Sequence, residues 1–347
     1  MIAGLGDNPK TILVTGGAGF IGSNFILYWM KNHPEDKIIN LDALTYAGNL
    51  SNLAAVANLP NYTFVEGNIC DAELVNSLAA RVDLIVHFAA ESHVDRSILN
   101  PGIFLETNAM GTLRLLEAAL HHKNVKHFHH ISTDEVFGSL DLESEVKFDL
   151  STKYDPRSPY SASKAASDHL VRAYGETYGL SYTITNCSNN YGPYQFPEKL
   201  FGLAITNIIE DKKVPVYGDG LNVRDWLYVE DHCRAIEAVL MKGKSGATYL
   251  VGGLMDDVSN LEVVKMICAL MGQDFSSRVE FVRDRAGHDR RYAIDWTVTA
   301  AELDWAPSVT LKEGLEKTIK FYQENPTWWQ PLKVRASEFF KQNYAEK

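Results

Sequence analysis

The stretch Thr11-Ile-Leu-Val-Thr-Gly-Gly-Ala-Gly-Phe-Ile-Gly22 decides the fold. Its first five residues are apolar or β-branched, which predicts a buried strand. The glycines that follow match G-x-x-G-x-x-G from Gly16 and G-x-G-x-x-G from Gly17. Glycines let the backbone approach a pyrophosphate closely, and a helix N-terminus offers free N–H groups there. A strand, a glycine loop and a helix in this order therefore predict a dinucleotide-binding unit.

The same alternation of strands and helices continues along the first half of the chain. Further buried strands are predicted at Lys37–Leu41, Tyr62–Glu66, Asp83–Phe88, His127–Ser132 and Tyr182–Asn186. Helices are predicted between them at Ser23–Asn32, Ala72–Ala80, Thr107–His121 and Ser161–Tyr178, the last ended by Gly179. Short apolar strands separated by helices predict an α/β fold with a Rossmann-like, doubly wound parallel sheet.

The residue composition of the sequence changes after Cys187. Residues 188–199 are rich in turn residues and aromatics and predict an ordered loop. Later helices are predicted at Leu200–Glu210, Asp231–Met241, Leu261–Met271 and Leu311–Glu324, and short strands near Val214–Tyr217 and Ala247–Val251. We predict an NAD-binding domain over 1–188, to which the chain returns around 225–258. The segments 189–224 and 259–347 then form a smaller, mixed α/β substrate-binding domain.

An acid at the end of the second strand favours NAD over NADP. Asp42 lies 20 residues after Gly22, where a carboxylate binds a ribose hydroxyl and repels a 2′-phosphate. Loops at the carboxyl ends of the strands face the ligand in such folds. The predicted cofactor contacts are therefore Gly16, Gly19, Phe20, Ile21, Gly22, Asp42, Ala43, Leu44, Thr45, Asn68, Ile69, Phe88, Ala89, Ala90 and Ser92.

Two further motifs carry the chemistry. Tyr160 and Lys164 are four residues apart on a predicted helix and share a face. A free tyrosine has a pKa of about 10, and a neighbouring lysine together with the nicotinamide charge favours its phenolate, a base for a hydroxyl proton. Asp134 and Glu135 follow Thr133 at the end of a predicted strand, where consecutive side chains diverge. These two acids can therefore have different chemical roles. A simple oxidation would not need this second pair of groups.

The chain resembles the extended short-chain dehydrogenase/reductases, and within them the dTDP-glucose 4,6-dehydratases. The resemblance rests on TGGAGFIGSNF (15–25), FAAESHVDRSI (88–98), HISTDEVFG (130–138), YSASK (160–164), NCSNNYGPYQFPEKL (186–200), VYGDGLNVRDWLYVEDH (216–232) and RAGHDRRYAID (285–295). These segments span nearly the whole chain. Epimerases of the superfamily share the glycine loop and Tyr-x-x-x-Lys but lack the Asp-Glu pair, so that pair indicates dehydration.

The resemblance implies a mechanism in three stages. Thr133 and Tyr160 hold the sugar 4-hydroxyl, and Tyr160 deprotonates it as hydride passes from C4 to NAD. Glu135 then removes the C5 proton while Asp134 protonates the departing C6 hydroxyl. Hydride finally returns to C6, so NAD is regenerated in each cycle and stays tightly bound. Adjacent acids in a desolvated cleft have pKa values pushed apart, which keeps one protonated while the other is ionised.

The resemblance also implies the ligand contacts. Those to the substrate are Ser92, Thr133, Asn189, Lys199, Leu200, Pro215, Val216, Tyr217, Arg224, Asn260, Arg285 and His288, with Arg224 and Arg285 clamping the diphosphate. Thr107, Asn190, Tyr160 and Lys164 lie beside NAD. The chain departs from the family pattern at Phe137, where tyrosine is usual, and at Asn68, where aspartate is more usual.

Composition excludes several classes of partner. The chain has 347 residues and a net charge of −11, which argues against a nucleic-acid polymer or an anionic membrane. No apolar stretch is long enough to span a bilayer, and no signal peptide is evident. Four widely spaced cysteines without C-x-x-C indicate neither zinc nor disulfides, and we predict a cytoplasmic protein. We expect no metal at His127, His129 and His130, since buried strand histidines are usually hydrogen-bonded core residues.

Three questions of function stay open at this stage. The helices Thr107–His121 and Ser161–Tyr178 commonly build a four-helix dimer interface in this superfamily, so the resemblance implies a homodimer. Another nucleoside-diphosphate-sugar 4,6-dehydratase, or a 4-epimerase or decarboxylase on the same scaffold, is the alternative activity. A non-catalytic NAD-sensing regulator would require the loss of Tyr160 or Lys164, and both are present.

Overall fold

The computed structural model describes residues 8–253, 257–284 and 288–344, with side chains of the last helix described as far as residue 336. Within these ranges the chain builds one large parallel sheet, three small strand pairs and helices around them. The strands are β1 (Thr11–Thr15), β2 (Lys37–Asp42), β3 (Tyr62–Glu66), β4 (Leu84–His87), β5 (His127–Thr133), β6 (Tyr182–Cys187), β7 (Asn189–Tyr191), β8 (Val214–Tyr217), β9 (Val223–Arg224), β10 (Trp226–Tyr228), β11 (Thr248–Val251), β12 (Val258–Ser259) and β13 (Val279–Val282).

Helices fill the connections between the strands. The α-helices are α1 (Phe20–Asn32), α2 (Ala72–Ala79), α3 (Val94–Leu99), α4 (Pro101–Phe104), α5 (Thr112–His121), α6 (Pro159–Tyr178), α7 (Leu200–Ile209), α8 (Val229–Lys242), α9 (Asn260–Leu270), α10 (Phe275–Arg278), α11 (Thr297–Leu303), α12 (Leu311–Glu324) and α13 (Pro326–Tyr344). A π-helical turn, Leu105–Gly111, joins α4 to α5. Two 3₁₀ turns occupy Leu50–Leu53 and Asp134–Phe137.

The central sheet has seven strands in the order β3-β2-β1-β4-β5-β6-β11. Every neighbouring pair in it is parallel. The predicted α/β fold with a doubly wound parallel sheet is therefore confirmed. The order of the strands reverses between β1 and β4, and such a reversal opens a crevice at the carboxyl ends of the strands.

Both faces of this sheet are buried, and the side chains of β1 show how its sequence covers each face. Leu13 packs in the core beneath α2, α5 and α6, whereas Ile12 and Val14 pack in the core beneath α1 and α8. All three side chains are fully buried. Successive side chains of a strand point to opposite faces, so an unbroken apolar run is what a sheet covered on both sides requires.

The helix that carries Tyr160 and Lys164 has strong signals at both ends. Ser158 and Ser161 form a reciprocal capping box, and Pro159 occupies the first turn of α6. The helix ends at Gly179, which has φ +71°, as its sequence predicted. Fixed ends and a buried face hold the two residues against β5.

A second hydrophobic core lies outside the sheet. It unites apolar side chains of α7, α9, α12 and α13, among them Phe201, Ile267, Leu315 and Trp329. Trp329 is fully buried and its Nε1 donates to the Tyr322 carbonyl oxygen at 2.8 Å, so this side chain packs inside the protein. The residues of this core face the same crevice from the side opposite the sheet.

Three local features differ from the sequence prediction. The helix predicted from Thr107 belongs to a longer run of helical turns that starts at Pro101, because the π-helical turn shifts apolar residues out of the 3.6-residue period. Asp134 and Glu135 lie in a 3₁₀ turn and not on the strand itself. The turn forms because the Thr133 hydroxyl accepts a hydrogen bond from the Glu135 backbone N–H at 3.3 Å. The final helix, α13, was not predicted.

Candidate active site

One large cavity of about 900 Å³ lies along the carboxyl ends of the central strands. Residues at or just beyond the ends of six consecutive strands line it, namely Gly16, Asp42, Asn68, Phe88, Thr133 and Ser188. Side chains from the second core, including Leu200 and Pro215, line its other side. A cleft of this size between two cores is the usual form of a cofactor and substrate site.

The glycine loop at one end of the cavity fits a dinucleotide pyrophosphate. Gly16 has φ +71°, and a Cβ there would lie 2.6 Å from the Ala89 backbone. A Cβ on Gly22 would lie 2.4 Å from the Gly16 carbonyl oxygen. The first turn of α1 starts from Gly19 without a side-chain cap, so its backbone N–H groups point toward the cavity. These are the donors that an anionic pyrophosphate needs.

Asp42 is held in place beside this loop by backbone donors. Its Oδ2 accepts from the Ala18 N–H at 2.9 Å and its Oδ1 from the Leu44 N–H at 2.8 Å. Burial raises its pKa, and these two hydrogen bonds oppose that effect. Each carboxylate oxygen keeps a further lone pair, so the side chain can accept from ribose hydroxyls at the cavity wall.

Thr133 connects the groups proposed for the chemistry. Its Oγ1 donates to Asp134 Oδ1 at 3.3 Å and accepts from the Glu135 N–H at the same distance. The same hydroxyl proton could instead be donated to Tyr160, which would lower the pKa of that phenol. Thr133, Glu135 and Tyr160 all line the cavity. A sugar hydroxyl that enters here meets a tyrosine, a threonine and a carboxylate on one wall.

The tyrosine is not a phenolate in the protein alone. Burial, and next the charge of Glu135, raise the pKa of Tyr160 well above its usual value. The Lys164 ammonium donates to the Ile131 carbonyl oxygen at 2.7 Å, and burial lowers the pKa of Lys164 to about 8. The lysine therefore does not by itself produce the predicted phenolate. A cationic ring in the cavity would add the missing positive charge.

The two adjacent acids have very different surroundings. Asp134 is 1% exposed, and its pKa is raised well above the usual range by burial and next by Glu135. Its Oδ2 is buried without a hydrogen-bond partner among the described residues, which suits a protonated carboxyl. Glu135 is partly exposed and lines the cavity. The structure thus provides a proton donor behind the wall and a carboxylate at its surface.

Most of the predicted contact residues line the same cavity. They are Gly16, Gly19, Phe20, Ile21, Gly22, Asp42, Ala43, Thr45, Asn68, Ile69, Phe88, Ala89, Ala90, Ser92, Thr107, Asn189, Asn190, Lys199, Leu200, Pro215, Tyr217, Arg224, Asn260 and His288. Among the residues that the structure describes, Leu44, Val216 and Asp134 are not part of that lining. Arg285 lies outside the described residues.

The remaining arginine of the predicted clamp is fixed by its surroundings. Arg224 is 5% exposed, and its guanidinium donates to the Val223 carbonyl oxygen at 2.7 Å and to that of Asp289 at 3.0 Å. It also lies 4.3 Å from the centre of the Tyr292 ring. These contacts hold the guanidinium in one orientation at the cavity wall.

Sequence reasoning missed several residues of the cavity wall. Tyr46 packs under Arg96, whose guanidinium carbon is 3.7 Å from the ring centre, and Glu198, whose Oε1 lies 3.5 Å from His93 Nε2, lines the same wall. Glu198 precedes the predicted contact Lys199, and that adjacency was the available signal. Lys333 of α13 also reaches the cavity, yet nothing in its local sequence indicates this.

The departures from the family pattern lie in defined positions. Phe137 is buried against Phe148 and Tyr154, with ring centres 5.3 Å and 5.2 Å away. Asn68 lines the cavity, and its Oδ1 accepts from the Cys70 N–H at 2.9 Å. Neither residue disturbs the contacts among Thr133, Glu135 and Tyr160.

The buried histidines of β5 have hydrogen-bond partners. His127 and His129 each lie 2.8 Å from the Thr183 hydroxyl. His130 has an acidic neighbour that the sequence did not reveal, because Asp168 Oδ1 is 3.2 Å from its Nε2. Within the described ranges, no group of three or more potential ligands is arranged to hold a metal ion. No helix found there is long and apolar enough to cross a membrane.

Comparison with known proteins places this site in context. The family model described as GDP-mannose 4,6 dehydratase matches residues 13–318. A dTDP-glucose 4,6-dehydratase of Xanthomonas campestris pv. campestris is 51% identical over 338 residues, which is 92% of this chain and 95% of that protein.

The fold of this chain also matches the folds of solved structures. The dTDP-glucose 4,6-dehydratase DesIV of Streptomyces venezuelae, solved with NAD bound, has a TM-score of 0.89 and 48% identity, over 93% of this chain and 99% of that one. The UDP-glucose 4-epimerase of Thermotoga maritima has a TM-score of 0.84 at 29% identity, over 91% of this chain and 99% of that one. The fold is thus shared by two activities, and the site residues must distinguish them.

Proposed function

This chain belongs to the dTDP-glucose 4,6-dehydratases, within the extended short-chain dehydrogenase/reductases, and from that membership we propose that it converts dTDP-glucose to dTDP-4-keto-6-deoxyglucose with a tightly bound NAD. The observation that carries the proposal is the pair of acids after Thr133. Asp134 is buried with a raised pKa, while Glu135 lines the cavity. An epimerization at C4 has no need of such a pair, whereas an elimination needs both an acid and a base.

The first step takes place at Tyr160. Tyr160 and Thr133 both line the cavity wall, so both side chains can hold the 4-hydroxyl of the sugar. NAD, when bound, accepts the hydride from C4 and later returns it to C6. Tyr160 acts as the phenolate, which Lys164 one helical turn away helps to stabilise, and it becomes a neutral phenol when it takes the hydroxyl proton.

The elimination then uses the two acids. A 4-ketone acidifies the C5 proton, and Glu135 lies in the cavity where it can remove that proton. Asp134 is the proton source for the departing C6 hydroxyl. Asp134 does not line the cavity itself, but its Oδ1 accepts a hydrogen bond from Thr133 Oγ1, which does. Hydrogen bonds of catalytic groups are often long without substrate and shorten when it binds. The carbon–oxygen bond breaks as water leaves, and no net oxidation results.

The cofactor and the substrate diphosphate occupy opposite parts of the cavity in this proposal. Asp42 and the glycine loop hold the adenosine ribose and the pyrophosphate of NAD. Arg224, Lys199 and Asn260 hold the diphosphate of the nucleotide sugar. Arg285 is assigned to the same clamp by resemblance alone.

The direct test is incubation of the NAD-loaded protein with dTDP-glucose. We expect a 4-keto-6-deoxy sugar, detected by its alkaline ultraviolet absorbance and by mass spectrometry as the loss of one water. UDP-, CDP- and GDP-linked sugars in parallel reveal the base preference. A 4-epimer of unchanged mass, or carbon dioxide from a uronic acid, would instead make the chain an epimerase or a decarboxylase.

We also propose that the protein is a homodimer. Ile98, Leu99, Leu105 and Met110 are between 44% and 53% exposed on the helical turns from α3 to α5, and a second copy would cover them. Leu105→Glu should give a monomer by analytical ultracentrifugation. Val146→Glu is the matched control, because Val146 is 63% exposed away from these helices and its variant should stay dimeric. A wild-type monomer would contradict the proposal.

Two further assignments are part of the same proposal. The domain boundaries follow the sequence prediction, with β11 of the sheet supplied by the segment that returns to the cofactor domain. A cytoplasmic, reducing compartment is proposed because all four cysteines, which the structure describes, are unpaired. Limited proteolysis and fractionation of the source cells test these two points.

A further inference from the structure

A buried carboxylate lies behind the lysine of the active site. Asp168 is one helical turn after Lys164 on α6 and is fully buried. Its Oδ2 accepts from the Tyr154 hydroxyl at 2.7 Å, from the Ser132 hydroxyl at 2.8 Å and from Asn186 Nδ2 at 3.3 Å. Three donors on one oxygen stabilise the ionised form of a carboxyl group. Asp168 therefore has the surroundings of a permanent negative charge.

The His130 ring is in contact with both this carboxylate and the lysine. Its Nε2 lies 3.2 Å from Asp168 Oδ1 and 3.4 Å from the Lys164 ammonium. Its Nδ1 has no hydrogen-bond partner among the described residues. The same ring nitrogen cannot donate to the carboxylate and accept from the ammonium at once, so the two contacts show instead that Asp168 and Lys164 lie close together at this ring, where their charges attract each other.

The other ionisable groups around Lys164 supply no compensating negative charge. His87 on β4 and His130 on β5 stay neutral, because burial, and next neighbouring positive charge, lower their pKa values, that of His130 to about 4. Burial raises the pKa of Cys187 on β6 to about 12, and it also raises the pKa of Tyr160 on α6 well above its usual value. Arg172 is a second cation, at the outer end, where it donates to the Tyr154 hydroxyl at 2.9 Å.

We propose that Asp168 is a positioning residue for the reaction, because its buried carboxylate, beside the His130 ring that Lys164 also contacts, keeps the Lys164 ammonium charged and in place one helical turn from Tyr160. This inference rests on the proposed function. Burial alone would drive Lys164 to its neutral form, and the carboxylate opposes it. The Ile131 carbonyl oxygen, 2.7 Å from the ammonium, then fixes its direction. Asp168 touches neither substrate nor cofactor in this arrangement, so it acts only through its neighbours.

The test is Asp168→Asn, which removes the charge and keeps the shape. We expect the alkaline limb of the kcat profile to move to lower pH by about one to three units, the usual effect of one near charge, while KM for dTDP-glucose changes by less than about threefold. Asp168→Glu should restore the wild-type limb. Tyr154→Phe is the matched control, because it removes one hydrogen bond to Asp168 and keeps the charge, so its alkaline limb should not move.

A second measurement needs no turnover. Ultraviolet difference titration of the NAD-loaded protein, with Tyr160→Phe as the blank, reports ionisation of the Tyr160 phenol. We expect the phenol to ionise at higher pH in Asp168→Asn, because the positive charge beside it is lost. An unchanged titration, or a uniform loss of kcat without a shifted limb, would overturn the inference. If Asp168→Asn fails to fold, the same titration of Asp168→Ser, which also removes the charge, decides, and no shift there overturns the inference too.

The two proposals fail in different ways. If the wild-type protein produces no 4-keto-6-deoxy sugar, the proposed function is wrong, whatever the titration gives. If the wild type is active and neither the limb nor the phenol titration moves in Asp168→Asn, only the role of Asp168 is wrong.

Discussion

At the scale of single residues, two neighbouring acids divide the work because one side chain is buried and the other is not. Asp134 is 1% exposed and Glu135 is partly exposed at the cavity. The 3₁₀ turn that begins at Thr133 sends them in different directions. Burial determines which of the two holds a proton at neutral pH.

Glu135→Gln should separate the steps of the reaction. We expect transient NADH absorbance to survive, since Tyr160 and Lys164 remain, while formation of the 4-keto-6-deoxy product falls by about 10²- to 10⁴-fold. Stopped-flow absorbance and product analysis measure the two steps on one sample. Tyr160→Phe is the comparison, and it should abolish both. Equal loss of both steps in Glu135→Gln would mean that the C5 base has been misassigned.

Asp134→Asn should make the folded protein more stable at neutral pH, although it removes the proposed proton donor. The unfolded carboxyl ionises near pH 4, whereas the folded one keeps its proton to higher pH, so folding loses stability as pH rises from about 4 through the raised pKa. The amide removes this penalty. We therefore expect Asp134→Asn to melt above the wild type at pH 7, with the difference shrinking toward pH 4. A difference that is the same at both pH values would argue against a protonated Asp134.

Sequence patterns revealed some of these residues and not others. Tyr160 and Lys164 share one helix face, and Asp134 and Glu135 adjoin each other, so their relation is local. The pairing of His130 with Asp168 joins β5 to α6 across 38 residues of chain, and only the fold brings them together. Leu44 was predicted from its place in a strand-end loop and Val216 was carried over from the resemblance, and neither is part of the cavity lining among the described residues.

At the scale of elements, the glycine loop and α1 must approach each other closely. Gly22→Ala should therefore empty the cofactor site, because its Cβ would lie 2.4 Å from the Gly16 carbonyl oxygen and 2.9 Å from Gly17 Cα. We expect bound NAD to fall at least about tenfold. The absorbance of nucleotide that co-elutes with the protein in gel filtration measures it.

Gly179→Ala is the matched control for that variant. Gly179 has φ +71° at the end of α6, but a Cβ at this position would meet no atom within 4 Å, so the change costs about 1 kcal/mol of stability without a clash. Its NAD content should equal that of the wild type. If both variants lost NAD alike, general destabilisation would explain the result and the close approach at Gly22 would not.

The elements that the sequence predicted are those whose burial follows a simple period. All six strands of the first half and the main helices were found, because apolar runs and 3.6-residue faces are visible locally. The helix α13 was missed since it contains Pro331, and its apolar residues Leu332 and Ala336 pack against Phe196 from a distant loop. The π-helical turn was missed because no residue type specifies it.

At the scale of the whole molecule, one cavity joins the sheet to a second core, and the chemistry lies where they meet. Trp329 lies at the centre of the second core and is fully buried. Trp329→Ala should cost about 3–5 kcal/mol, measured as the free energy of unfolding in urea. Trp328→Ala should cost less, because Trp328 is only partly buried. Little or no loss in Trp329→Ala would mean that α13 contributes little to the second core.

The central claim is that hydride leaves C4 and returns to C6 of the same sugar within one active site. Reaction of dTDP-glucose that carries deuterium at C4 tests this claim most directly, with the product analysed by NMR and mass spectrometry. The account predicts that the deuterium moves to the C6 methyl group, while C5 receives its hydrogen from solvent. Deuterium that stays on C4, or that is lost to bulk solvent, would contradict it.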